Sequence, residues 1–86
     1  MRAGKSSITI GRSDMAKRPP ITNRVKELRE AKDQMSQSAL AKEIGVTRQT
    51  VIAIEQGKYS PSLESAFRIA RVFDVGLEDV FGWDGD

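Results

Sequence analysis

Cysteine and histidine are both absent from the chain. Without cysteine no disulfide framework forms and no thiolate serves as nucleophile or metal ligand. Without histidine as well, acid–base, nucleophilic and zinc chemistry lose their usual side chains. An enzyme, a cofactor site and a metal site are therefore not expected. Asp84 and Asp86 make a lone acidic pair, too few ligands for a hard divalent cation. Glu78 and Asp79 fall where acids favour the start of a helix, and that structural account suffices for them. Long apolar runs are missing too: none approaches the roughly 20 residues a membrane helix needs. The amino end, MRAGKSSITIGRSDMAKRPP, lacks the apolar segment of a secretory signal. Lack of cysteine fits a reducing cytoplasm, the location expected. No small-molecule ligand is evident, and no membrane partner.

What remains is room for one small domain. Hydrophobic residues make up 38% of the chain, enough for a compact helical core without metal or disulfide. The formal net charge of +2 conceals an asymmetry. Residues 1–20 carry Arg2, Lys5, Arg12, Lys17 and Arg18 against Asp14 alone, whereas residues 21–86 hold nine basic and eleven acidic side chains. The folding part is thus not a general polyanion binder. Binding to nucleic acid requires a local basic face with the acids turned away.

Residues 1–20 show no sustained period, and their Gly, Ser and Pro-Pro content reads as a flexible basic tail. Ser6 to Ile10 is too short for a stable strand, and Met15 offers an alternative start. An arm that follows DNA or enters a minor groove is the other reading of this tail. From residue 21 on, the pattern is all-α with no strand of consequence. A first helix is expected over Thr22 to Lys32, capped by Thr22, with Val25, Leu28 and Ala31 on one face. Asp33 and Gln34 form a turn. Ser36 caps a second helix to Ile44, buried through Leu40, Ala41 and Ile44, with Met35 as a staple and Gly45 as its left-handed stop. A third helix starts after Thr47, ends before Gly57 and buries Val51 and Ile54. Ser62 caps a fourth over Leu63 to Phe73, whose apolar face is Leu63, Ala66, Phe67, Ile69, Ala70 and Phe73; Phe67 and Phe73 are expected in the core. Leu77 to Phe81 makes a short fifth helix after the weak cap Gly76, and GWDGD is irregular.

The informative stretch is SQSALAKEIGVTRQTVIAIEQGK, from Ser36 to Lys58. Its two short helices meet at a tight glycine turn. The second opens with Thr47, Arg48, Gln49 and Thr50. Arg and Gln side chains pair bidentately with guanine and adenine edges in the major groove. A helix led by such residues and backed by another is the arrangement of a helix-turn-helix. This reading points to sequence-selective binding of double-stranded DNA.

Thr22 to Phe81 resembles the phage repressor and Cro-like, or XRE, family of helix-turn-helix transcriptional regulators. The matching segments are NRVKELRE, SQSALAKEIGVTRQTVIAIEQGKYSPSLESAFRIARVF and VGLEDVF. The resemblance implies a five-helix, lambda-repressor-like DNA-binding domain. It implies base reading by Arg48 and Gln49, joined by Thr47 and Ala53, the last through its methyl alone. It implies backbone contacts from Gln37, whose amide bonds a phosphate, and from Thr50, Gln56, Gly57, Lys58 and Tyr59. Thr47 and Thr50 sit where the family makes phosphate or thymine-methyl contacts. Arg29 and Glu55 match a structural ion pair between helices one and three. Three departures stand out: the KDQ turn is one residue longer than usual, Asp74 replaces Gly, and Gly76 replaces a Ser or Thr cap. Ile52 is also apolar at an often solvent-facing position, where a thymine methyl and a partner protein are both open as its contact.

The short carboxyl end is similar to the small family members that act as dimers. Phe81 and Trp83 either pack back on their own domain or form a dimer surface, and the latter is expected. The resulting reading is a homodimeric regulator, a repressor, on a palindromic operator. The alternative is an antitoxin-like interaction module that controls its own synthesis through the same domain.

Overall fold

The computed structural model describes residues 19–85. The expected basic tail falls almost wholly on residues 1–18, which lie outside the described residues, as does Asp86. The chain runs β1 (Ile21–Asn23), α1 (Val25–Ala31), α2 (Gln37–Ile44), α3 (Arg48–Glu55), α4 (Leu63–Phe73), α5 (Leu77–Val80) and β2 (Phe81–Trp83).

The two strands correct the all-α expectation. β1 and β2 pair antiparallel, with Ile21 opposite Trp83, Thr22 opposite Gly82 and Asn23 opposite Phe81. Thr22 is therefore a strand residue and not a helix cap. The first helix starts at Val25, because the Asn23 carboxamide oxygen accepts from the Val25 amide at 3.0 Å. The Arg24 amide is turned away from the helix and donates to the Val80 carbonyl at 2.8 Å. The fifth helix likewise stops at Val80, and Phe81 begins the strand. Gly82 permits this pairing: a Cβ there would lie 2.8 Å from the Thr22 hydroxyl. The bond from the Asp84 amide to the Pro20 carbonyl, at 2.6 Å, continues the pairing outward.

Helix boundaries follow side chains that satisfy the free amides of each first turn. Ser36 Oγ accepts from the Ala39 amide at 2.9 Å, Thr47 Oγ1 from Thr50 at 3.2 Å and Ser62 Oγ from Ser65 at 3.1 Å. α5 has no side chain at its cap, but the Asp79 carboxylate reaches back and accepts from the Gly76 amide at 2.9 Å. α2 ends at Gly45 with φ +76°, and α4 ends at Asp74 with φ +57°. The longer turn after α1 is accommodated by two consecutive left-handed residues, Asp33 at φ +52° and Gln34 at φ +53°. Neither is glycine, so this turn carries conformational strain.

The core is built by Val25 of α1, Leu40, Ala41 and Ile44 of α2, Val51 and Ile54 of α3, Ile69 and Ala70 of α4, and Val80 of α5. Phe73 packs against it, but Phe67 does not: it is 51% exposed, and Leu63 is 67% exposed. Phe73 thus meets the core as expected, whereas Phe67 is corrected to the surface, and Leu63 leaves the buried face with it. The stripe that α4 buries is Ala66, Ile69 and Ala70. Leu63 and Phe67 lie roughly a quarter turn off its centre at 100° per residue, on the flank.

Gly45 has open space around it, the nearest foreign atom to a Cβ being an Arg68 guanidinium nitrogen at 3.8 Å. The cost of a side chain there is therefore conformational. Gly45→Ala should lower the unfolding free energy by about 1–2 kcal/mol, read as a lower urea midpoint with an unchanged slope. Gly45→Asn should retain most of the stability, and equal losses in both variants would contradict this assignment.

Candidate nucleic-acid interface

The turn that aims α3 is Gly45-Val46-Thr47. The Val46 amide donates to the Ala41 carbonyl at 3.0 Å, and the Val46 side chain packs on the core. Thr47 is extended, at φ −89° and ψ 161°, and caps α3. Its hydroxyl also lies 3.1 Å from that of Thr50. α3 turns Val51 and Ile54 inward. Arg48 and Gln49, one residue apart on its first turn, are exposed. Among the described residues neither side chain makes a hydrogen bond or an ion pair. Thr47 is exposed as well, whereas Thr50, Ile52 and Ala53 are half-buried.

A buried charge cluster joins α3 to α1 and α2. Arg29 of α1 grips the Glu55 carboxylate of α3 with two bonds, Nε to Oε2 at 2.7 Å and Nη2 to Oε1 at 3.1 Å. Their side chains are only 10% and 5% exposed. The third guanidinium nitrogen donates to the Met35 carbonyl at 2.8 Å, just before α2. The hydrogen bond to Glu55 holds the Arg29 pKa above its ordinary value, against the opposing effect of burial. Arg29 thus remains charged at any pH at which the protein folds.

Gln37, the first residue of α2, joins the same cluster: its Nε2 donates to Glu55 Oε1 at 3.0 Å. The structure brings Gln37 to the ion pair and not to Arg48 or Gln49. One amide hydrogen is engaged by Glu55, and the other remains for an external acceptor. Sequence reasoning missed Asn23, which ties the far end of α3 to the sheet. Its Nδ2 donates to the Ile54 carbonyl at 2.8 Å while its oxygen caps α1. An Asn two residues before a helical period was the available signal.

The backbone amides of the loop after α3 are engaged within the chain. The Gln56 amide donates to Ile52, that of Gly57 to Ile54 and that of Lys58 to Ala53, each at 3.0 Å. These amides close the helix end, with Gly57 at φ +74°. The groups left facing outward are the side chains of Gln56 and Lys58, both exposed, and Tyr59, 50% exposed. Acids gather elsewhere. Glu27, Glu30 and Glu55 line an open hollow with Asn23, Arg24 and Lys26, between α1 and the end of α3. At the chain end, Phe81 packs on the core and Trp83 is 65% exposed. Gly85 lies against the Trp83 ring, where a Cβ would approach Nε1 to 2.6 Å. Among the described residues no helix is long and apolar enough to cross a membrane.

Five short helices with the second and third packed across a glycine turn define a helix-turn-helix protein. The sequence profile of the helix-turn-helix family matches residues 25–80, and the chain belongs to the XRE-type helix-turn-helix family of transcriptional regulators. An HTH-type transcriptional regulator of Archaeoglobus fulgidus is 52% identical over 64 residues, covering 74% of this chain and 89% of that protein. Among solved structures, the restriction-modification controller protein C.AhdI of Aeromonas hydrophila is similar, with a TM-score of 0.60 and 32% identity. The match covers 65% of this chain and 83% of that one. The N-terminal DNA-binding domain of SinR from Bacillus subtilis matches at a TM-score of 0.58 and 28% identity, covering 64% and 80%.

A buried pair is more damaging when halved than when removed. Arg29→Met or Glu55→Leu alone should destabilise the fold by about 3–5 kcal/mol, and the double variant by less than either. Denaturant titration of the three variants checks this. Additive losses would contradict it.

Proposed function

We propose that the protein is a transcriptional repressor that binds a palindromic operator in double-stranded DNA as a homodimer. The observation that carries the reading is the free, outward pair Arg48 and Gln49 on the capped first turn of α3. An Arg guanidinium matches the O6 and N7 of guanine, and a Gln carboxamide matches N6 and N7 of adenine. Their helix is held at both ends, by the Thr47 cap and by Asn23 at Ile54. That rigidity is what groove reading requires. Thr47 and Ala53 complete the base-facing group. Gln37, Thr50, Gln56, Lys58 and Tyr59 flank it with donors suited to phosphate, while the Gly57 turn aims the last two. Such contacts position the protein without specifying sequence.

Membership in a family of transcriptional regulators and likeness to a DNA-binding domain and to a controller protein support this reading. Two half-sites about 34 Å apart, one DNA turn, would accept the two α3 helices of a dimer. Exposure of Trp83, with Phe81 beside it in the strand, supports a dimer surface at the chain end. Occlusion of a promoter by so small a protein gives repression. A DNA target goes with the cytoplasm as its location.

Arg48→Ala should cost about 1–3 kcal/mol of binding and relax preference at one base pair. Lys58→Ala should weaken binding to all sequences alike and flatten the salt slope by about one unit. Selection from random duplexes followed by salt titration reads both, and a uniform loss in both variants would contradict the division between readers and anchors. Sedimentation tests the dimer: Trp83→Ala should shift the mass toward the monomer, and an unchanged dimer mass would move the interface elsewhere.

A further inference from the structure

Two apolar side chains of α3, Ile52 and Ala53, lie off the hydrophobic core, and Ile52 is the larger. Ile52 is half-buried, yet it is absent from the hydrophobic side chains that pack on the core. At 100° per residue, Ile52 lies about 40° around α3 from Arg48 and about 60° from Gln49, between the two. It is one turn further along the helix. Helical side chains lean toward the N-terminus, so Ile52 covers the surface between those two groups. Its β-branched chain has one dominant rotamer in a helix, which makes it a rigid knob and not an adaptable one. Its helical neighbours are Arg48, Gln49 and Gln56, all polar and exposed, and Glu55, which is turned into the cluster with Arg29 and Gln37. Ala53, half-buried and shorter, lies on the far side of Gln49.

A rigid apolar knob between two polar readers has one chemical counterpart in the major groove. Of the four bases only thymine presents a methyl there, at C5. We infer that Ile52 is a specificity-determining residue that reads the C5-methyl of a thymine next to the bases read by Arg48 and Gln49. The inference rests on the functional reading above and adds to it a contact with no hydrogen bond. Discrimination at that position is then by burial of a methyl group against a shaped apolar surface.

Replacing thymidine by deoxyuridine removes the methyl and nothing else, so the DNA supplies the test without altering the protein. In an operator recovered by selection, each thymidine of one half-site is replaced in turn. Wild-type protein should lose affinity about fourfold at one position, the effect of burying one methyl-sized group. Ile52→Ala should bind the two duplexes equally there, at the wild-type level for the deoxyuridine form, and should melt as the wild type does. The result that overturns the inference is an undiminished methyl effect in Ile52→Ala, or a methyl effect abolished by Ala53→Gly alone. Absence of any methyl effect in the wild-type protein would overturn it as well. If the wild-type protein selects no duplex at all, the functional reading itself fails, and that outcome is distinct from selective binding that ignores the methyl.

Discussion

The buried Glu55 carboxylate is the constraint on which the arrangement of α1, α2 and α3 depends. It accepts from Arg29 of α1 through both oxygens and from Gln37 of α2, and it belongs to the last turn of α3. An ionised carboxylate removed from water is tolerable only if its acceptor sites are filled. Three donors from two other helices fill them. The penalty for leaving any one open disfavours other packings of these helices, which apolar contacts alone would tolerate. The pair is thus better understood as a device for geometric uniqueness than as a source of net stability.

That geometry is transmitted to the outward face of α3. Thr47 fixes its start, and Asn23 fixes its end by donating to Ile54. Because Asn23 also sits in β1, the sheet formed with β2 is joined to the end of α3. The exposed Trp83 lies in that same sheet. The chain end and α3 are therefore connected through one carboxamide and two short strands. Glu27 and Glu30 of α1 line an open hollow with Asn23, Arg24, Lys26 and Glu55.

Local chemistry was legible where the determining atoms are close in sequence. Ser36, Thr47 and Ser62 each cap a helix three residues from the amide they satisfy, and Gly45 stops α2 with the positive φ expected of it. Asp33 and Gln34 form the turn between α1 and α2. The face of α4 was only half legible. Its apolar stripe is wider than the surface the core offers, and the periodicity of Leu63 and Phe67 does not tell burial from exposure. The strands were not legible. β1 and β2 are three residues each and about sixty positions apart, and neither alternates enough to declare itself. Thr22 reads equally well as a cap.

The sequence by itself determined the helix-turn-helix and the outward chemistry at positions 48 and 49. Both follow from the 3.6-residue period and from capping hydrogen bonds that close within one turn. Only the tertiary structure decided that Gln37 shares a carboxylate with Arg29, that the amides of Gly57 and Lys58 close a helix end, and that Asn23 bridges strand and helix. It also decided which apolar side chains of α3 and α4 lie off the core. These outcomes depend on which surfaces meet when the chain closes on itself. Such meetings are selected by the desolvation of groups distant in sequence, which no local pattern records.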